Sequence, residues 1–269
     1  MATIADAGEC FSCASKLCRY AEQAGRQATR RIALVRGERI ETRPAACMKL
    51  WTVLSGTAAI CISLRDGRRQ ISGIERPGAT VCGPMAHEDS PAWLEALEPV
   101  EICEIDLSHD IEALQQDAGF MYTMFEVVHT RLEIATRHLT TLGRLDSTER
   151  VTLFLAELAE LTPGHAPVHL PLSREDIADY LGLNAETVSR IFSRLKKSGL
   201  FKFLSPTEYV VPDPAAVARR LPVPVARKPH NPMAALHGGE AGTPGGGPGL
   251  CPVIHDGLND KLKDKGGTA

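Results

Sequence analysis

The chain has 269 residues, 43% hydrophobic and 23% charged, with a formal net charge of -3. That length and apolar content suffice for two domains with separate cores. The near balance of charge excludes a general polycation, and without a long apolar run neither a membrane span nor a signal peptide is expected. The expected compartment is the cytoplasm, where eight cysteines read as metal ligands, redox groups or small buried residues rather than as a disulfide framework.

In chain order the first feature is a cysteine triplet. Cys10, Cys13 and Cys18 stand at x2 and x4 spacing in the N-terminal segment 1–30. Thiolates so close together can converge on one metal centre, which then needs a fourth ligand. A structural zinc would want a second Cys or His pair nearby, and the first histidine is His87. An iron–sulfur cluster accepts a remote fourth cysteine. Incidental cysteines are the alternative to both.

From 31 to 117 the expected unit is a sensory β-domain. Segments 49–54 and 58–64 flank Ser55-Gly56-Thr57, and Ile60, Ile62 and Leu64 alternate with Ala59, Cys61 and Ser63. Asp66-Gly67 is a hairpin turn into 70–74, Pro77-Gly78 turns again, and 100–105 makes a last strand. Short strands at this spacing predict a small barrel or roll.

The period then changes. Met121, Met124, Val128, Leu132, Ala135, Leu139 and Leu142 recur at steps of three and four. This seam in 118–143 predicts a long helix that pairs with its own copy in a homodimer. A helix packed only on the roll is the alternative. Asp146-Ser147-Thr148-Glu149 is a capping-box start for a helix at 150–161.

Residues 173–200 carry the most information. They predict two short helices broken at Leu181-Gly182-Leu183, the first opened by Ser173 with Asp176 and the second by Asn184. Ile177, Ala178 and Leu181 form one inner face, and Val188, Ile191, Phe192 and Leu195 the other. The outer face of the second helix carries Glu186, Ser189, Arg190, Arg194 and Lys197. This is a helix-turn-helix whose second helix fits a DNA major groove. An ordinary helical hairpin is the alternative, but five basic residues stand against one acid between Glu186 and Lys202, a local stripe on an acidic chain. Arginine suits guanine, glutamate suits cytosine, and serine suits either kind of base. Strands at 169–172 and a hairpin at 201–211 would complete a winged domain over 146–221. The tail 222–269 holds seven prolines and ten glycines without periodicity, a composition expected to be disordered.

The order of an α+β chain with a cyclic-nucleotide-binding-like β-roll, a long dimerisation helix and a winged helix-turn-helix resembles the CRP/FNR family of bacterial transcription regulators. Glu186-x-x-Ser189-Arg190 is similar to the FNR and FixK type. The resemblance implies a palindrome with TTGAT-like half-sites, with Glu186 and Arg190 on the C·G pair and Ser189 at a neighbouring thymine. Cys103, in Glu101-Ile102-Cys103-Glu104-Ile105, lies where FNR-type oxygen sensors carry their isolated ligand. The resemblance thus implies a [4Fe-4S] cluster on Cys10, Cys13, Cys18 and Cys103 that favours dimerisation and DNA binding without oxygen, with RNA polymerase as partner. Cys47, Cys61 and Cys82 are substitute ligands.

Some expectations are negative. No Lys or Arg occurs from 77 to 130, against eleven acids, where the family's Arg-Ser phosphate clamp would lie, so no cyclic nucleotide is expected. No Ser-His-Asp context, phosphate-binding glycine loop or HExxH motif is present, and no enzyme is expected. The short stretch between Cys18 and the roll departs from the family pattern, as does the tail. The rivals are a FixK- or heme-type regulator without a cluster and, in another class, an iron–sulfur redox protein.

Overall fold

Alternating apolar positions let each strand bury one side, and two antiparallel sheets use this to enclose a core. The computed structural model describes residues 3–6, 17, 29–42, 49–82, 91–107, 116–162 and 166–226. Cys10, Cys13, Cys18, Cys47 and residues 227–269 of the tail lie outside the described residues. The strands are β1 Thr3–Asp6, β2 Thr29–Leu34, β3 Arg39–Thr42, β4 Lys49–Ser55, β5 Ala58–Ser63, β6 Arg69–Glu75, β7 Thr80–Cys82, β8 Ala92–Ala96 and β9 Val100–Asp106. One sheet has the order β1-β2-β9-β4-β7 and the other β3-β8-β5-β6. Trp51, Val53, Val81 and Ile102 of the first sheet meet Ala58, Ile60 and Leu94 of the second between them.

The four strands expected at 49–54, 58–64, 70–74 and 100–105 are β4, β5, β6 and β9 with ends shifted by no more than a residue. The expected start of the roll at 31 is too late. β2 begins at Thr29 and pairs with β1, so part of segment 1–30 belongs to the sheet. Gly56 makes the tight turn between β4 and β5 possible. Its φ is 77°, and a Cβ there would lie 2.2 Å from the Pro99 carbonyl oxygen, so only glycine fits.

Helix α1 spans Ala118–Arg144, and Asp117 caps it by accepting from the Gly119 and Phe120 amides. Helix α2, Ser147–Glu160, opens on a complete Asp146/Glu149 capping box. Strand β10, Val168–His169, follows, and then come α3 Arg174–Leu181, α4 Ala185–Lys197, β11 Lys202–Ser205, β12 Glu208–Val210 and α5 Pro214–Ala218. The strand expected at 169–172 is shorter, because Pro171 has no N–H to give a ladder. Leu170 and Leu172 instead point into the core. β10, β12 and β11 form a three-stranded wing, and the buried Tyr209 hydroxyl donates to the Leu155 carbonyl at 2.6 Å.

Outer faces of both sheets are also covered. Ala59, Cys61 and Ile71 of the four-stranded sheet share one core with α2, α3, α4 and the wing. On the five-stranded sheet, Leu50, Cys103 and Ile105 pack with Leu17 and with Phe120, Met124 and Val127 of α1.

A polar clamp joins the roll to α3. Arg69 donates to Asp179 at 2.8 Å, to Asp176 at 2.7 Å and to Glu95 at 2.7 Å. Arg36 reaches the Pro171 carbonyl at 2.8 Å and Asp176 at 3.2 Å. Asp176 also closes the α3 capping box with Ser173. Its burial favours the neutral acid, but the Ser173 amide and hydroxyl and the Arg69 guanidinium outweigh this and hold its carboxyl below the usual carboxylate range. A depressed folded pKa adds stability that is present above the unfolded value and lost as pH falls through the folded one. Asp176→Asn therefore costs roughly 1–3 kcal/mol at neutral pH. In denaturant titrations the gap to wild type closes as pH drops below the unfolded carboxylate value of 3.8.

Candidate functional site

The second helix of the expected pair is α4, and the residues expected to read bases lie on its exposed side. Gly182 ends α3 in the left-handed region at φ 63°, and the Asn184 side chain caps α4 by accepting from the Thr187 amide at 2.7 Å. Val188, Ile191, Phe192 and Leu195 are all buried. The Arg174 guanidinium lies 3.4 Å over the Phe192 ring and fixes the helix from the α3 side.

Burying that stripe turns Glu186, Ser189, Arg190, Arg194 and Lys197 outward together, and all five are exposed. Glu186 and Arg190 are paired one turn apart, which aligns a carboxylate acceptor and a guanidinium fork on one edge. The Ser189 hydroxyl donates to the Ala185 carbonyl at 2.8 Å, leaving its oxygen lone pairs outward. Ser193 and Lys196 extend this surface and Lys202 adds a cation at the wing. Such a face can bond base edges while its cations meet phosphates.

The second surface is on α1. Met121, Phe125, Val128, Leu132 and Leu139 are large apolar side chains left exposed, Leu132 at 64% and Leu139 at 69%, and Ala135 is exposed among them. Their steps are those of a heptad seam. Met124 does not belong to this stripe. It packs toward the sheet, on the Cys103 core, and Phe125 takes its step. Both side chains are apolar and adjacent, so spacing alone could not choose between them. Arg131 ties the same helix to the roll with a fork onto the buried Glu75 carboxylate at 2.6 and 2.7 Å, and it also reaches the Thr80 carbonyl.

Cys103 lies on β9 across from Thr52 and is 1% exposed. Its core includes Leu17, the residue before Cys18 in sequence, and partly buried Cys82 on β7. Burial pushes the Cys82 thiol up. Glu104, next along β9, is held below the usual carboxylate range: burial opposes this, and bonds from Trp51 and Lys49 together with Arg30 overcome it. Among the described residues no group of three or more His, Cys, Asp or Glu side chains is gathered to hold a metal, and the triplet Cys10, Cys13 and Cys18 lies outside them. Among them, too, no helix is long and apolar enough to cross a membrane.

The Arg69–Asp176 clamp was not visible in the sequence. Its only trace is Asp176 and Asp179 three residues apart on α3, opposite an arginine pair after the Asp66-Gly67 turn.

Comparison with known proteins places the chain in a family. Residues 149–220 match the Crp-like helix-turn-helix domain. The nitrogen fixation regulation protein FixK of Bradyrhizobium diazoefficiens is 31% identical over 174 residues, 63% of this chain and 73% of that protein. The transcriptional activator protein FnrL of Cereibacter sphaeroides is 29% identical over 170 residues, 60% of this chain and 68% of that protein. The structure of FixK2 from Bradyrhizobium japonicum superposes with a TM-score of 0.65 and 27% identity, covering 73% of this chain and 98% of that one. The chain belongs to the CRP/FNR family of DNA-binding transcription regulators, which are not enzymes.

Proposed function

We propose that the protein is a homodimeric regulator that reads a palindrome of TTGAT-type half-sites with Glu186, Ser189 and Arg190. The observation that carries this is the single exposed face of α4 on which those side chains stand with Arg194 and Lys197. The α1 stripe supports pairing of two copies, which sets two such helices on successive turns of DNA. RNA polymerase is the expected partner, in keeping with the activator name of one relative. No role for a cyclic nucleotide is proposed, since Arg131, the first cation after 76, is committed to Glu75.

The proposed input is a [4Fe-4S] cluster held by Cys10, Cys13, Cys18 and Cys103. The donor chemistry fits: Cys103 supplies a thiol in an apolar shell, and Leu17, the neighbour of Cys18, packs in that shell. When bound, such a group supplies a redox-sensitive ligation state. Phe120, Met124 and Val127 touch the same shell, so a change in packing around Cys103 reaches the first turns of the pairing helix directly. The test is iron and acid-labile sulfide per chain after purification without oxygen. About four of each are expected, lost together with palindrome binding in air and absent in Cys103→Ser.

A second reading rests on the same residue. Cys103 is as buried as an ordinary small core side chain, which suits a FixK- or heme-type regulator without a cluster. Near-zero iron and sulfide, with palindrome binding unchanged in air, selects that reading.

A further inference from the structure

Strand β6 lies at the edge of the four-stranded sheet and is tied at each end to a different neighbour of the roll. At its start Arg69 donates to Asp176 and Asp179 of α3, and the Gln70 side-chain amide donates to the Asp179 carbonyl at 2.5 Å. At its end Glu75 accepts the Arg131 fork from α1. We propose that β6 is a strut between the pairing helix and the recognition unit, and that Arg69 is the positioning residue that fixes which half-site spacing the dimer accepts. This rests on the palindrome reading proposed above.

A regular strand turns alternate residues to one side, so Arg69, Ile71, Gly73 and Glu75 would all face the winged unit. A bulge prevents this. Ile60 and Cys61 of β5 oppose Gly73 and Ile71, which leaves Ser72 as an extra residue. Cys61, Ile71 and Ile74 accordingly pack in the core shared with the winged unit, whereas Ile60 packs between the sheets. Gly73 also makes room for the carboxylate, since a Cβ there would lie 2.7 Å from a Glu75 carboxyl oxygen. Both oxygens of the buried Glu75 take the Arg131 guanidinium, a bidentate geometry with little angular freedom.

In the chain only Leu145 and Asp146 separate α1 from α2. Arg150 staples this joint by donating to the Leu142, Leu145 and Leu181 carbonyls. That staple grips only the last residue of α3. A helix held at one end can pivot, but Arg69 also holds its earlier turns, and two fixed points define a direction. Helix α4 follows, because it shares one core with α3 across the Gly182 turn. The contacts therefore run from α1 through Arg131, β6 and Arg69 to the base-reading helix. Each added spacer base pair moves the second half-site by about 3.4 Å and turns it by about 35°. A fixed arm selects one spacer.

The test is fluorescence anisotropy of the full chain on TTGAT-type palindromes whose spacer changes one base pair at a time. Wild type is expected to favour one spacer over its neighbours by at least about tenfold. Arg69→Gln binds the neighbouring spacers within about threefold of the best, while the penalty for a base change under Arg190 keeps its wild-type value. Arg69→Lys, which keeps the charge and loses the fork, falls between. Asp179→Ala removes one anchor, leaves the Ser173/Asp176 cap intact, and serves if Arg69→Gln does not fold. A contact that only stabilised the fold would lower the thermal midpoint and leave the spacer profile unchanged. An unchanged profile in the folded variants overturns the inference. Wild type indifferent to the spacer overturns it too, and indifference to a scrambled half-site removes the palindrome reading with it.

Discussion

Arg190→Ala lowers affinity for the palindrome by roughly 2–6 kcal/mol, about 30-fold to 10⁴-fold, because each half-site loses a bidentate contact worth ~1–3 kcal/mol. The loss is confined to specific binding. Arg190 is exposed, its partner Glu186 is equally exposed, and the buried side of α4 is formed by other residues. The thermal midpoint therefore stays at the wild-type value. Fluorescence anisotropy against palindromic and random duplexes at one salt concentration separates the effects. Lys197→Ala gives the contrast: both duplexes weaken alike, and the salt dependence falls by about two phosphate contacts, one per subunit. Equal losses on both duplexes for Arg190→Ala would assign that residue to the phosphates.

Leu132→Glu dissociates the proposed dimer. Leu132 is 64% exposed in the single chain, so the fold of one copy does not depend on it. In a parallel seam it meets its own counterpart. The change then removes two buried leucines, each worth about 1.5–3 kcal/mol, and sets two carboxylates face to face. Sedimentation equilibrium is expected to show a dissociation constant weakened by at least about a thousandfold, with the circular dichroism spectrum unchanged and palindrome binding lost. A variant that remains dimeric at micromolar concentration would move the pairing surface off α1.

The elements most readable from sequence were those with local causes. Ser173 with Asp176, Asn184 and Asp146 with Glu149 each cap the helix that their spacing announces. The one-sided burial of α4 follows from Val188, Ile191, Phe192 and Leu195 alone. What depends on distant partners was not readable. Strands β3, β7 and β8 are short, and their existence rests on pairing with β8, β4 and β5. Met124 and Phe125 are equally apolar neighbours, and only the sheet beneath α1 decides which one turns inward. The Arg69 clamp joins residues more than a hundred positions apart, beyond the reach of any local pattern. Cys103 lies between these cases. Its motif marked it as a candidate, but the shared packing with Leu17 and α1 is visible only in three dimensions.

The most direct measurement is the affinity of anaerobically purified wild-type protein for a TTGAT-type palindrome, compared with the same duplex after one half-site is scrambled. A dimer reading both halves through Arg190 and its neighbours binds the intact site roughly 10²-fold or more tightly. Equal affinity for the two duplexes would contradict dimeric reading of a palindrome by α4.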